Sequence, residues 1–147
     1  MGLTSTLWSI GYEKTGWADF IARLRGAGVA SVIDVRDLPL SRRAGFSKRA
    51  LSAGLAEAGI AYHHLRGLGT PPEGREANRK RQWERFWKIV DARMATVEAE
   101  RDLQQAAEIA VASPSCLLCY EADWHICHRR RVAELLCERA GFHTLHL

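Results

Sequence analysis

Short apolar runs of strand type alternate with stretches of helical periodicity along the whole chain, and this alternation restricts the fold more than any other feature. The strand-like runs are Leu7 to Gly11, "SVIDVR", "IAYHHL", "SCLLCYE" and "FHTLHL". Between them, Trp17, Phe20, Ile21 and Leu24 fall at i, i+3, i+4 and i+7, the mark of one buried helix face. Ser47 is placed to cap a helix carrying Leu51 and Leu55 and ending at Gly59. Trp83, Phe86, Trp87, Val90 and Met94 form the stripe of a further helix, another runs over Leu103 to Ala112, and a last one ends at Gly141. Strands separated by helices need crossover connections, which make neighbouring strands parallel. The expectation is a single α/β domain over residues 1–147: about five mostly parallel strands, helices on both faces, a Rossmann-like three-layer arrangement. "SVIDVR" is nearly continuous in apolar residues and suits a buried central strand. The stretch "RGLGTPPEGREAN" reads as a long loop and a candidate lid.

In open α/β sheets ligands bind beyond the carboxyl ends of the strands, so the residues at those ends matter most. They are Tyr12 and Glu13 after the first strand, Asp34 and Arg36 at the second, the glycine-rich stretch after the third, and Cys119 and Glu121 after the fourth. In "DVRDLPLSRR", Asp34 and Arg36 share one strand face, and Ser41, Arg42 and Arg43 follow with donors suited to phosphate.

The densest stretch is "LLCYEADWHICHRRR". Cys116 and Cys119, three apart on a strand, point to opposite faces and cannot chelate one ion together. A site from Cys119, His125, Cys127 and His128 matches no established zinc spacing, so no metal ligand is assigned and no cofactor is expected. Val132, Ala133, Leu135, Leu136 and Ala140 define the buried face of the last helix, and Cys137 joins it as a small core hydrophobe. Extended backwards, that face reaches His128 and Arg129, so Arg129 is expected to face inward toward a carboxylate, Glu121 or Asp34, or toward a bound anion. Cys127, in or just before the first turn and near several arginines, is expected to be the more thiolate-like cysteine and the first candidate nucleophile, with Cys119 second. His128 would carry the proton, and Asp34 or Glu121 would act as general base or orient a donor. Arg36, Ser41, Arg42, Arg129 and Tyr12 are the candidate binding residues.

Charge narrows the ligand. The net charge of +4 is concentrated: Arg36 to Arg49 carries five basic residues against Asp37 alone, and Arg75 to Lys88 carries six against two acids. Such clusters favour phosphate-bearing partners. No apolar run approaches the roughly 20 residues of a membrane span. The start lacks a basic region before its short apolar patch, so no signal peptide and a cytoplasmic location are expected. Four cysteines crowded into the last third suit reduced thiols better than a disulfide framework.

Four stretches, "SIGYE", "VIDVRDLPLSRRAGFSK", "GIAYHHLRGLG" and "LLCYEADWHICHRRRVAELL", resemble the domain of unknown function 488 family from end to end. The resemblance implies a small α/β domain and marks Asp34, Arg36, Ser41, Arg42, Cys119, Glu121, Cys127, His128 and Arg129 as motif positions. It supplies no reaction. Thr70 departs from the family, whose members often carry a second glycine after Leu-Gly. The sequence thus predicts an enzyme acting on an anionic or phosphate-bearing small molecule, such as a nucleotide or nucleic-acid component. The alternatives are a nucleic-acid-binding module using segments 36–49 and 75–88, and a noncatalytic domain with a structural network of Cys, Arg and acidic residues.

Overall fold

The structure, a computed structural model, describes residues 5–147. Five strands, β1 (Thr6–Gly11), β2 (Ser31–Asp34), β3 (Ala61–His64), β4 (Ser115–Cys119) and β5 (His143–His146), form one sheet in the order β3-β2-β4-β1-β5. All four pairings are parallel. The expectation of a mostly parallel sheet is therefore met throughout, and β2 and β4, whose residues are all buried, are the apolar interior strands.

Helices cover both faces. On one side α1 (Trp17–Gly26) and α2 (Lys48–Glu57) bring Phe20, Leu24, Leu51 and Leu55 against Ile10, Val32, Cys116 and Leu118. On the other, α4 (Trp83–Met94), α5 (Val97–Ala112) and α6 (Arg129–Ala140) bring Phe86, Val90, Leu103 and Leu136 against Leu7, Ile33, Leu117 and Cys119. Cys116 and Cys119 lie in different cores, as the strand period requires. Cys137 is half-buried beside the second core, its sulfur 3.1 Å from Thr144 Oγ1. Thr96 caps α5, its Oγ1 accepting from Ala99 N at 3.1 Å, and Gly141 ends α6 in the left-handed region at φ 73°.

Two local expectations need correction. The stretch "RGLGTPPEGREAN" is not a loop: Arg66–Leu68 is a 3-10 turn and α3 (Pro72–Arg79) is a helix, with Pro72 at its first position where a missing N–H costs nothing. Ser47 precedes α2 but caps no helical N–H; its Oγ accepts from Ser41 N at 2.9 Å and donates to Ser41 O at 3.1 Å, fastening the loop after β2. Among the described residues, no helix is long and apolar enough to cross a membrane.

Candidate functional site

Because β4 lies between β1 and β2, the carboxyl ends of all three meet at the middle of one edge. Gly11 pairs with Cys119 and Asp34 with Leu118, so the strands stop at nearly the same level. The chain leaving β4 then folds over β1, where Tyr12 N donates to Cys119 O at 3.3 Å and Glu13 N to Tyr120 O at 2.8 Å. Gly11 permits this: any Cβ there would run into the Glu121 carbonyl. Beyond the edge opens a cavity of about 550 Å³, to which these strand ends, the loop after β2, and α3 all contribute.

One side of the edge is a closed ion-pair knot. Asp34 Oδ1 accepts from Arg36 Nε at 2.9 Å, and Oδ2 accepts from Arg36 Nη2 at 2.8 Å and from the Tyr62 hydroxyl at 2.6 Å. Arg36 Nη1 donates to Phe46 O at 2.8 Å and to the Tyr12 hydroxyl at 3.1 Å. Four of the five guanidinium N–H groups are thereby used. Burial works against the Arg36 charge, but the bonds and charge of Asp34 outweigh it and hold its pKa above the ordinary value. Burial and then Asp34 likewise push the Tyr62 phenol up. Asp34 is fully buried and forms no part of the cavity wall, so the structure places it behind Arg36 rather than where a general base would meet a ligand. Tyr12, stacked on Phe46 at 4.5 Å between ring centres, does line the wall.

The opposite corner holds Cys119, Glu121, Cys127 and His128. His128 Nε2 lies 2.6 Å from Val35 O, so this nitrogen carries the hydrogen and, in the neutral ring, Nδ1 keeps its lone pair. Both sulfurs lie close to this ring: Cys119 Sγ is 3.6 Å from Nδ1 and 3.9 Å from Nε2, against the ring and off the Nδ1 lone-pair axis, and Cys127 Sγ is 4.0 Å from Nδ1. Cys119 Sγ is also 3.7 Å from Glu121 Oε2. Burial, then the neighbouring Cys127, pushes the Glu121 carboxyl up to about 8, against the pull of His128. Burial would lower the His128 pKa, but Cys127, Glu121 and the Val35 carbonyl prevail and raise it.

The two thiols are not equivalent, and their expected ranking is reversed. Cys119, Glu121 and His128 line the cavity; Cys127 is fully buried behind them. Burial, and then Cys119, raises the Cys127 thiol to about 12 despite His128. Cys127 does stand just before the first turn of α6, but its side chain is packed in the core, where burial outweighs the surroundings expected to favour the thiolate. His125, weighed in the sequence as a fourth ligand, is exposed and bound to Asp123 Oδ1 at 2.8 Å, away from the corner.

Arg129 does face inward and is fully buried, but among the described residues it makes no ion pair, and it is not part of the wall of the carboxyl-edge cavity. It donates from Nε to Ser9 Oγ at 3.2 Å, from Nη1 to Glu121 O at 2.5 Å and from Nη2 to Ala122 O at 3.4 Å. The arginine thus pins the main chain that follows β4, a positioning duty instead of the anion contact expected of it.

A cationic wall completes the cavity. Ser41, Arg42 and Arg43 come from the loop after β2, where Arg43 is held to Thr15 O at 2.9 and 3.1 Å. Thr70, just before α3, and Arg75, Asn78 and Arg79 of α3 also line it; the sequence pointed to Arg75 and Arg79 only as part of the basic segment 75–88, and to Thr70 and Asn78 as site residues not at all. Arg75 is anchored to Asp37 Oδ2 at 2.9 Å and Thr70 O at 2.8 Å. Asn78 Nδ2 donates to Ile126 O at 2.6 Å, tying α3 to the segment that carries Cys127. Among the described residues, the Arg42 and Arg79 guanidinium groups have no hydrogen-bond partner, and Thr70 Oγ1 is a buried polar atom without one.

Fold and site together define a single-sheet parallel α/β protein with a basic cavity at the carboxyl edge and a thiol-imidazole corner at its base. The chain belongs to the family described as domain of unknown function DUF488, whose model matches residues 16–136. No curated protein and no solved structure matches the chain.

Proposed function

We propose that the protein is an enzyme that acts on a small anionic, phosphate-bearing molecule, a nucleotide or nucleic-acid component, held in the carboxyl-edge cavity. The single observation that carries this reading is the unspent polarity of the cavity. Among the described residues the exposed Arg42 and Arg79 side chains on this wall make no hydrogen bond or ion pair, and the Thr70 hydroxyl is buried and unpaired beside them. A buried hydroxyl without a partner costs about 1–3 kcal/mol, and the fold carries that cost just behind this wall. The arginines supply the planar donors that match phosphate. Their anion would lie across the cavity from Cys119, Glu121 and His128, the groups able to attack a bound molecule or move a proton on it.

Within this reading Arg36 positions the wall through Tyr12 and Phe46 and offers at most one N–H to the ligand. Asp34 charges and orients Arg36. If a thiol reacts, it is Cys119, whose proton His128 Nδ1 is placed to take. The test is calorimetric titration of the whole protein with inorganic phosphate and with nucleoside mono- and diphosphates. Arg42→Ala, Arg79→Ala and Thr70→Val should each weaken the preferred ligand by about tenfold, the worth of one hydrogen bond to a charged group. Wild-type affinity in all three variants would remove the anion reading. Affinity for long nucleic acid alone, falling steeply with salt, would instead favour a nucleic-acid-binding module.

A further inference from the structure

The corner at the base of the cavity has a geometry that thiol chemistry alone does not need. Cys119 Sγ, Cys127 Sγ and a ring nitrogen of His128 all lie within 4.8 Å of one another. Tetrahedral zinc, with bonds of about 2.3 Å to sulfur and about 2.0–2.1 Å to nitrogen, sets its ligand atoms about 3.5–3.8 Å apart. The sulfur-to-Nδ1 separations here are 3.6 and 4.0 Å, and the Cys119 sulfur, also 3.9 Å from Nε2, has to swing off the ring to meet an ion held on Nδ1. We propose that Cys119, Cys127 and His128 form a binding site for a divalent transition-metal ion, zinc by the softness of the donors, with the fourth position toward the cavity and Glu121. This inference rests on the reading of the cavity given above and states what its reacting corner is.

Three further observations support it. The first is the hydrogen bond from His128 Nε2 to Val35 O at 2.6 Å. Metal-binding histidines characteristically donate their second nitrogen to a carbonyl or carboxylate, which fixes the ring and leaves the other lone pair for the ion. The second is the weakness of every contact inside the cluster. Separations of 3.6–4.0 Å between sulfur and nitrogen are poor hydrogen bonds, so internal bonding gives no reason to gather two thiols and an imidazole in the core. The third is rigidity: Cys119 ends β4 and His128 opens α6, while Arg129 and Asn78 clamp the chain between them through Glu121 O, Ala122 O and Ile126 O. Two thiolates and an imidazole select zinc over magnesium or calcium.

On binding, the two thiols give up their protons to solvent and two metal–sulfur bonds form, with no change of oxidation state. Cys119 is then a ligand, and the group that meets the substrate is whatever occupies the fourth position. A zinc ion there supplies Lewis acidity and lowers the pKa of a bound water toward neutrality. Glu121 Oε2, 3.7 Å from Cys119 Sγ, is the carboxyl placed to bind at that position or to take a proton from a group bound there.

The experiment is metal analysis of the full chain purified reduced from zinc-supplemented medium, followed by chelation and titration with cobalt(II). The expected result is about one zinc per chain and a cobalt spectrum with thiolate charge-transfer bands. Substoichiometric zinc together with a cobalt spectrum lacking those bands would overturn the proposal. Cys119→Ser, His128→Asn and Cys127→Ser should each weaken zinc by about a hundredfold or more, beyond what loss of an outer partner costs. Should Cys127→Ser fail to fold, Cys119→Ser at the cavity surface still decides, and unchanged affinity there also overturns it. Phosphate titration separates this from the reading it rests on. Phosphate binding without zinc leaves the anion cavity standing and the metal site gone; zinc without phosphate binding supports the metal site and removes the anion reading.

Discussion

Two polar clusters hang on one tripeptide, Asp34-Val35-Arg36, and they are built in opposite ways. The Asp34 and Arg36 side chains form a knot in which contacts are 2.6–3.1 Å and nearly every donor and acceptor is spent. The Val35 carbonyl reaches the other cluster, where His128 has one strong bond and the remaining contacts are 3.6–4.0 Å. A satisfied network fixes geometry and has nothing left to offer a ligand. An unsatisfied one costs stability and keeps its valences for something else, and this contrast is what the chemistry proposed for the second cluster rests on.

The comparison is open to direct attack. Asp34→Ala leaves Arg36 buried without its partner and should cost about 3–5 kcal/mol in urea unfolding. A loss under about 1 kcal/mol would mean the knot is not structural. Arg129→Lys keeps the charge but loses the fork that reaches Glu121 O and Ala122 O, and about 2 kcal/mol should follow. Cys119→Ala should cost only about 1 kcal/mol in urea unfolding when variant and wild type are both chelated, while the unchelated variant loses turnover of any substrate found, sharpening the split between support and chemistry.

The smallest effect lies outside both clusters. His146 stacks on Trp124 at 4.0 Å and bonds to Ser9 Oγ; burial, then the Arg129 and His125 charges, pushes its pKa from 6.5 down to about 4. Between those values the unfolded chain binds the proton and the folded chain does not. Stability should therefore be intact above about 6.5 and fall as pH drops toward 4. His146→Gln should flatten that part of a stability-against-pH curve. An unchanged slope would remove His146 as its source.

The layer architecture was legible because the apolar periods of β2, α1 and α4 are unambiguous. The edge residues Tyr12, Arg36, Cys119 and Glu121 followed from strand ends, and His128 from the buried face of α6 extended back past its first turn. What stayed hidden has physical causes. The partners of Arg129 are main-chain carbonyls, which no residue pattern announces. The ranking of Cys127 over Cys119 rested on its place just before a helix start, and nothing in the pattern says that its side chain turns into the core instead of onto the cavity wall. Helix α3 buries only Gly74 and Ala77, so it has no apolar stripe to read; Thr70 and Asn78 were lost with it, and Arg75 and Arg79 were read only as part of a basic segment and not as the wall of this cavity. Pro72 at the first helical position was the available signal.

The place of β4 in the sheet also orders the birth of the molecule. β1 bonds only to β4 and β5, whereas β2 can pair with β3 as soon as both exist. During synthesis β1 must therefore wait more than a hundred residues for a strand neighbour, with both of its edges unpaired. The thiol corner, assembled from β4 and the start of α6, is among the last parts to form. A chain halted before residue 115 would be a half-sheet exposed to aggregation, and it would lack the thiol corner altogether.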